Sequence, residues 1–125
     1  MADYKDLEVW KASIDLATKI YVATKAFPKE ETFGLVSQLR RAAVSVPSNI
    51  AEGKGRFSNQ EIIHFLMISR GSLNELETQL IICNNIGYVS EEELNGFVEH
   101  IEFCRKKLMG LIKYHQNYTS KGQSK

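Results

Sequence analysis

From Ser58 to Asn85 the sequence reads SNQEIIHFLMISRGSLNELETQLIICNN, and this stretch constrains the fold more than any other. Ile62, Leu66, Ser69, Leu73, Leu76, Leu80 and Cys83 recur at alternating intervals of four and three. That period collects side chains on one stripe of an α-helix. Ser58 with Glu61 three residues on spells a capping box, in which the serine takes an exposed N–H and the glutamate reaches back. Asn85 and Gly87 supply stop signals. The pattern predicts a helix over about 59–86, roughly 42 Å long at ~1.5 Å per residue. A second stripe of Phe65, Ile68, Ser72 and Ile82 widens its apolar surface, so such a rod has to touch more than one neighbour. The small residues Ser69, Gly71 and Ser72 predict a close backbone approach midway along it.

Three further segments repeat the pattern. Leu7, Trp10, Ile14, Ala17, Tyr21 and Thr24 form the expected seam of a first helix over about 6–27, with Lys11, Asp15, Lys19 and Lys25 on its other faces. Trp10 reads as a core or interface anchor, and Pro28 ends the helix. A second helix, about 33–53, places Leu35, Leu39, Ala42, Val46 and Ile50 on one face, with Arg40 and Arg41 off it. Pro47 has no N–H for the carbonyl of Ala43, so this helix is expected to kink or break there. Gly53 and Gly55 form a corner flanked by Lys54 and Arg56. Ser90 to Glu93 is another capping box and opens a helix over about 91–117, with Leu94, Phe97, Ile101, Cys104, Leu108, Leu111 and His115 as its seam. Residues 119–125 lack periodicity and read as a disordered tail. Four amphipathic segments with short connections predict one all-α domain over 1–118, an antiparallel up-down-up-down four-helix bundle.

Few signs of chemistry accompany this architecture. Neither HExxH nor CxxC occurs, and Glu61 with His64, the one Glu-x-x-His pair, is explained by helix capping. No metal, cofactor or catalytic residue is expected. Cys83 and Cys104 lie on apolar stripes of consecutive helices, about ten residues apart in depth, or roughly 15 Å. That separation excludes a bridge between them. Glu52, Arg70 and Glu75 read as polar residues partly buried between helices, with Arg70 pairing with Glu52 or with an acid of a neighbouring subunit to fix register. No run approaches the ~18 apolar residues of a membrane span. The charged N-terminus does not look like a secretory signal, so a cytoplasmic location is expected.

The net charge of +1 conceals an uneven distribution. From Phe57 to Glu102 there are eight Glu against the single Arg70, whereas six Lys or Arg and no acid follow Glu102. Arg40, Arg41, Lys54 and Arg56 form one candidate cationic surface, and Arg105, Lys106 and Lys107 a second. For Arg40 and Arg41 two readings stand: contact with phosphate, or salt bridges between helices or subunits.

The runs GLVSQLRRAAVSVPSNIAEGKGR (Gly34 to Arg56), SRGSLNELETQL (Ser69 to Leu80) and YKDLEVWKASIDLA (Tyr4 to Ala17) resemble the four-helix-bundle proteins encoded within intervening sequences of bacterial 23S ribosomal RNA genes. The resemblance extends to about Tyr118. More distantly, the chain is similar to the accessory variability determinant of diversity-generating retroelements. These resemblances imply a ring-like homopentamer without catalytic activity. The retroelement resemblance also implies basic surfaces that engage nucleic acid and a reverse transcriptase. The expected function is therefore a non-enzymatic homo-oligomer binding structured RNA or other nucleic acid. The alternative is a scaffold that recruits a partner enzyme without touching nucleic acid.

Overall fold

The computed structural model describes residues 3–123, with side chains as far as Tyr118. Its order is a short 3₁₀ turn, Tyr4–Asp6, then α1 (Glu8–Thr24), a second 3₁₀ turn (Lys29–Glu31), α2 (Leu35–Lys54), α3 (Asn59–Asn85) and α4 (Glu91–Gln123). Among the described residues there are no strands. Each helix packs on the next in chain order, and α4 closes back onto α1. Four mutually covering helices give the bundle expected of four apolar stripes.

Local sequence accounts for most of the boundaries. Ser58 Oγ accepts the Glu61 N–H at 3.1 Å and donates to the Glu61 carboxylate, fixing the start of α3. Ser90 and Glu93 complete a reciprocal box at α4, with bonds of 3.0 and 2.9 Å. Gly87, at φ 88°, takes the left-handed conformation that ends α3, and the Tyr88 N–H reaches back to the Cys83 carbonyl at 2.9 Å. The first helix is shorter than its pattern suggests. It begins at Glu8 after the turn capped by Asp3, and it stops at Thr24, where the N–H groups of Lys25, Ala26 and Phe27 tighten onto carbonyls three residues back.

Two expectations about the middle of the bundle, a kink or break at Pro47 and a close approach at Ser69, Gly71 and Ser72, are narrowed. α2 runs unbroken through Pro47, so the helix does not stop and restart there. Pro47 is buried, and Ser69 of α3 donates its hydroxyl to the adjacent Val46 carbonyl at 2.9 Å. Ser69 and Ser72 both bond across to α2, yet Gly71 is exposed, and a methyl there would meet nothing within 4 Å. A further close approach lies at Gly53, where a Cβ would come 3.0 Å from that of Phe65 and 3.2 Å from the Ile62 carbonyl. At the chain's end, α4 continues to Gln123 although the apolar period fades near Asn117, because no proline interrupts it. The remainder of the expected tail, 124–125, lies outside the described residues.

The core confirms two seams and rotates one. All seven expected positions of α3 are buried, and α4 differs only in burying Ile112 while Leu111 is half-buried. On α1 the buried stripe is Val9, Ser13, Leu16, Ala17, Ile20 and Thr24. Ser13 can be there because its hydroxyl donates to the Trp10 carbonyl at 2.9 Å. Ile14 and Tyr21, expected inside, are 37% and 41% exposed, and Trp10 is half-buried.

Candidate functional site

The displaced stripe of α1 builds a surface of its own. Trp10, Ile14, Ala17, Thr18 and Tyr21 face Val44, Pro47, Ser48 and Ala51 of α2, with Tyr4 at one end, around an open groove of about 570 Å³. Its lining is mainly apolar. Pro47 contributes a rigid ring to one wall, and Tyr4 packs edge-on against Trp10 with ring centroids 5.4 Å apart. Phe33 and Phe57, in the connections on either side of α2, are fully exposed. Contiguous apolar surface of this kind is unusual on a chain that meets only water.

The cations are placed less freely than their sequence clusters suggest. Arg40 is half-buried: its Nε donates to Thr24 Oγ1 at 2.9 Å, a terminal nitrogen reaches the Tyr21 carbonyl at 3.3 Å, and the guanidinium lies 4.5 Å from the Tyr21 ring centre. It therefore ties α2 to α1. Lys54 turns toward His115, with Nζ 3.5 Å from Nε2. Arg56 pairs with Glu52 at 3.2 Å and stacks on Phe65. Arg105 is held by Glu102, by Glu77 at 2.6 Å and by Asn74 at 3.0 Å. Lys107 reaches Glu8 at 3.2 Å. Of the seven cations singled out in the sequence, only Arg41 and Lys106 are exposed without an ion pair or hydrogen bond among the described residues.

The structural trio separates as well. Glu52 is exposed and paired with Arg56, not with Arg70. Arg70 is half-buried without a partner among the described residues, and Glu75 is exposed at a polar cleft shared with Arg41. Sequence reasoning missed Gln79, which lines the same cleft and is buried beside the α3 seam.

The titratable groups stay apart. Burial pushes the thiols of Cys83 and Cys104 up to about 11, so both are neutral at physiological pH, and both are free. His100 bonds to the Ala12 carbonyl and to Lys19, and His64 lies against Phe65. His115 is held by Asn59 and Lys54. Among the described residues no group of three His, Cys, Asp or Glu is placed to hold a metal, and no helix is long and apolar enough to cross a membrane.

Four packed helices, an apolar groove along α1 and α2, and three arginines, Arg40, Arg56 and Arg105, turned back onto their own chain define an all-helical bundle protein. The chain belongs to the 23S rRNA-intervening sequence protein family, whose model matches residues 5–110. The fold is similar to a crystal structure of a protein with unknown function from the S23 ribosomal protein family of Bacteroides thetaiotaomicron VPI-5482. The TM-score is 0.75 and the identity 24%, over 84% of this chain and 98% of that one. No curated protein matches the chain.

Proposed function

We propose that this chain acts as a non-enzymatic, self-assembling bundle whose subunits join through the α1–α2 groove. The observation that carries this reading is the doubled apolar character of α1. One stripe fills the core of its own subunit, and a second, through Trp10, Ile14 and Tyr21, lines an unfilled groove. A single bundle needs only the first. Association through the second buries apolar area worth about 25 cal/mol per Å² before the costs of association. If the groove meets a different surface of the next copy, the contact is heterologous and closes into a ring when the rotation allows. The family resemblance makes five the expected subunit number. Native mass spectrometry of the purified chain tests this directly, with a single closed oligomer expected and a monomer at micromolar concentration contradicting it.

Nucleic-acid contact is the task we assign to the assembled ring, through Arg41 and Lys106. These two remain available for phosphate while their neighbours are ion-paired or hydrogen-bonded within the chain. Two cations per subunit bind a polyanion weakly, and assembly multiplies them. Retention of structured RNA on a filter should therefore weaken as salt rises. Co-purification of a protein partner with no salt-sensitive RNA retention would favour the recruiting scaffold instead.

A further inference from the structure

A groove that joins subunits needs a complementary surface, and the exposed side of α3 has the composition of one. Ile68, Ile82 and Ile86 are 39%, 44% and 52% exposed. Among the described residues, the exposed positions from 64 to 86 carry one carboxylate, Glu75, and no ammonium or guanidinium. A helix face that meets only water is ordinarily built from charged and polar side chains, so three isoleucines recurring there call for a covering surface. Ile68, Glu75 and Ile82 follow one another at intervals of seven, which sets them nearly in one line down the helix, with Ile86 a turn beyond. Phe33, in the turn before α2, is 96% exposed and lies outside the groove, so it lacks a cover of its own.

The register between α2 and α3 relates these features. Ser69 bonds to the Val46 carbonyl at 2.9 Å, Ser72 bonds to Ser45 at 2.8 Å, and Phe65 lies beside Gly53, so numbers rise along α3 as they fall along α2. Ile68 is therefore level with Pro47 and the groove, and Ile82 with Phe33, to within about a turn. Both pairs are fourteen residues apart in sequence, roughly 21 Å along the axis. Glu75, midway, comes within about one turn of the level of Lys25, an exposed cation on the same side of α1 as Thr18 and Tyr21 of the groove. We infer that this line of α3 fills the α1–α2 groove of the next copy, Ile68 against Ile14 and Pro47, and Ile82 against Phe33, with the ring axis along the helices. The inference rests on the assembly reading and names its second face. Rotation about such an axis keeps every residue at its own height, so only surfaces level with one another meet. Among the described residues α1 and α3 do not touch, nor do α2 and α4, so the helices stand at the corners of a square. The outer side of α3 then points roughly 90–135° round from the groove, and head-to-tail contact between such faces closes after about four to eight copies.

The test mixes two variants of the full chain. Ile14→Glu with Val44→Glu blocks the groove and leaves α3 intact, and Ile68→Glu with Ile82→Glu does the reverse. All four residues are more than a third exposed, so both variants keep the fold, which circular dichroism checks. By sedimentation each variant alone should be a monomer where the wild type assembles. Their equimolar mixture should form a heterodimer that grows no further, because each partner has only its blocked face left. One contact lacks the reinforcement of a closed ring, so the mixture is followed to about 100-fold above the wild-type assembly midpoint. Phe33→Ser should raise that midpoint at least about tenfold, whereas Phe57→Ser, at the other end of α2, should leave it in place. An α3 variant that still assembles beside a monomeric groove variant overturns the inference and leaves assembly through the groove standing. A mixture that stays monomeric throughout, or a midpoint that Phe33→Ser does not move, overturns it as well. A wild-type monomer removes the assembly reading itself, and this inference with it.

Discussion

The Nζ of Lys54, at the end of α2, lies 3.5 Å from Nε2 of His115 on α4, while Nδ1 of the same ring is 2.6 Å from Asn59 Oδ1 at the start of α3. An ammonium can only donate, so Nε2 has to accept, and Nδ1 carries the proton it gives to Asn59. One neutral imidazole thus joins three helices at one end of the bundle.

Burial, and then the charge of Lys54, lower the His115 pKa from its usual 6.5. Protons therefore bind the unfolded chain more readily than the folded one. The sign follows: stability is unaffected well above pH 6.5, declines as pH falls through that value, and stops declining below the depressed folded pKa. Urea midpoints measured from about pH 8 to about pH 5 should fall for the wild type. In His115→Gln, which cannot titrate, the decline in this interval should be smaller.

Two glycines on facing helices should respond oppositely to the same methyl group. Gly53→Ala gains helix propensity but drives its Cβ into Phe65 and the Ile62 carbonyl, and overpacking of this kind outweighs the gain for a net loss of about 1–2 kcal/mol. Gly71→Ala meets open space on an exposed helix face and should add about 0.5–1 kcal/mol. Equilibrium denaturation of the two variants checks both signs.

The cations should divide in the same way. Arg105→Ala removes the bonds to Glu77, Glu102 and Asn74 and should cost about 1 kcal/mol of stability while leaving RNA retention unchanged. Arg41→Ala and Lys106→Ala should leave stability within about 0.5 kcal/mol. Each should reduce the salt slope of RNA retention by about 1 for every phosphate that the side chain neutralises. Filter binding at several salt concentrations beside urea titrations separates the two classes.

How much of this the sequence discloses depends on how many stripes each helix carries. α3 and α4 are legible because their dominant seams match their burial nearly residue for residue. α1 carries two seams that share Ala17 and Thr24, and periodicity alone ranks the one holding Trp10 and Tyr21 first. Ser13 conceals the true core stripe, since a serine is buried there only through its bond to the Trp10 carbonyl. The cationic surface misleads for a different reason. Arg56 with Glu52 lies one helical turn apart and can be read from spacing, whereas Arg105 with Glu77 and Arg40 with Thr24 depend on how separate helices align. Gln79 leaves one signal, a polar residue between the apolar positions Leu76 and Leu80, but its orphaned oxygen exists only once α2 has packed beside it.

Whether the outer stripe of α1 joins subunits is decided by sedimentation velocity of Ile14→Glu combined with Val44→Glu. Both residues line the groove and are more than a third exposed, so the carboxylates enter no core. The wild type should sediment at micromolar concentration as one discrete oligomer, and the double variant as a folded monomer with undiminished helical circular dichroism. A wild-type monomer, or an oligomer that survives both charges intact, would show that this stripe does not hold copies of the chain together.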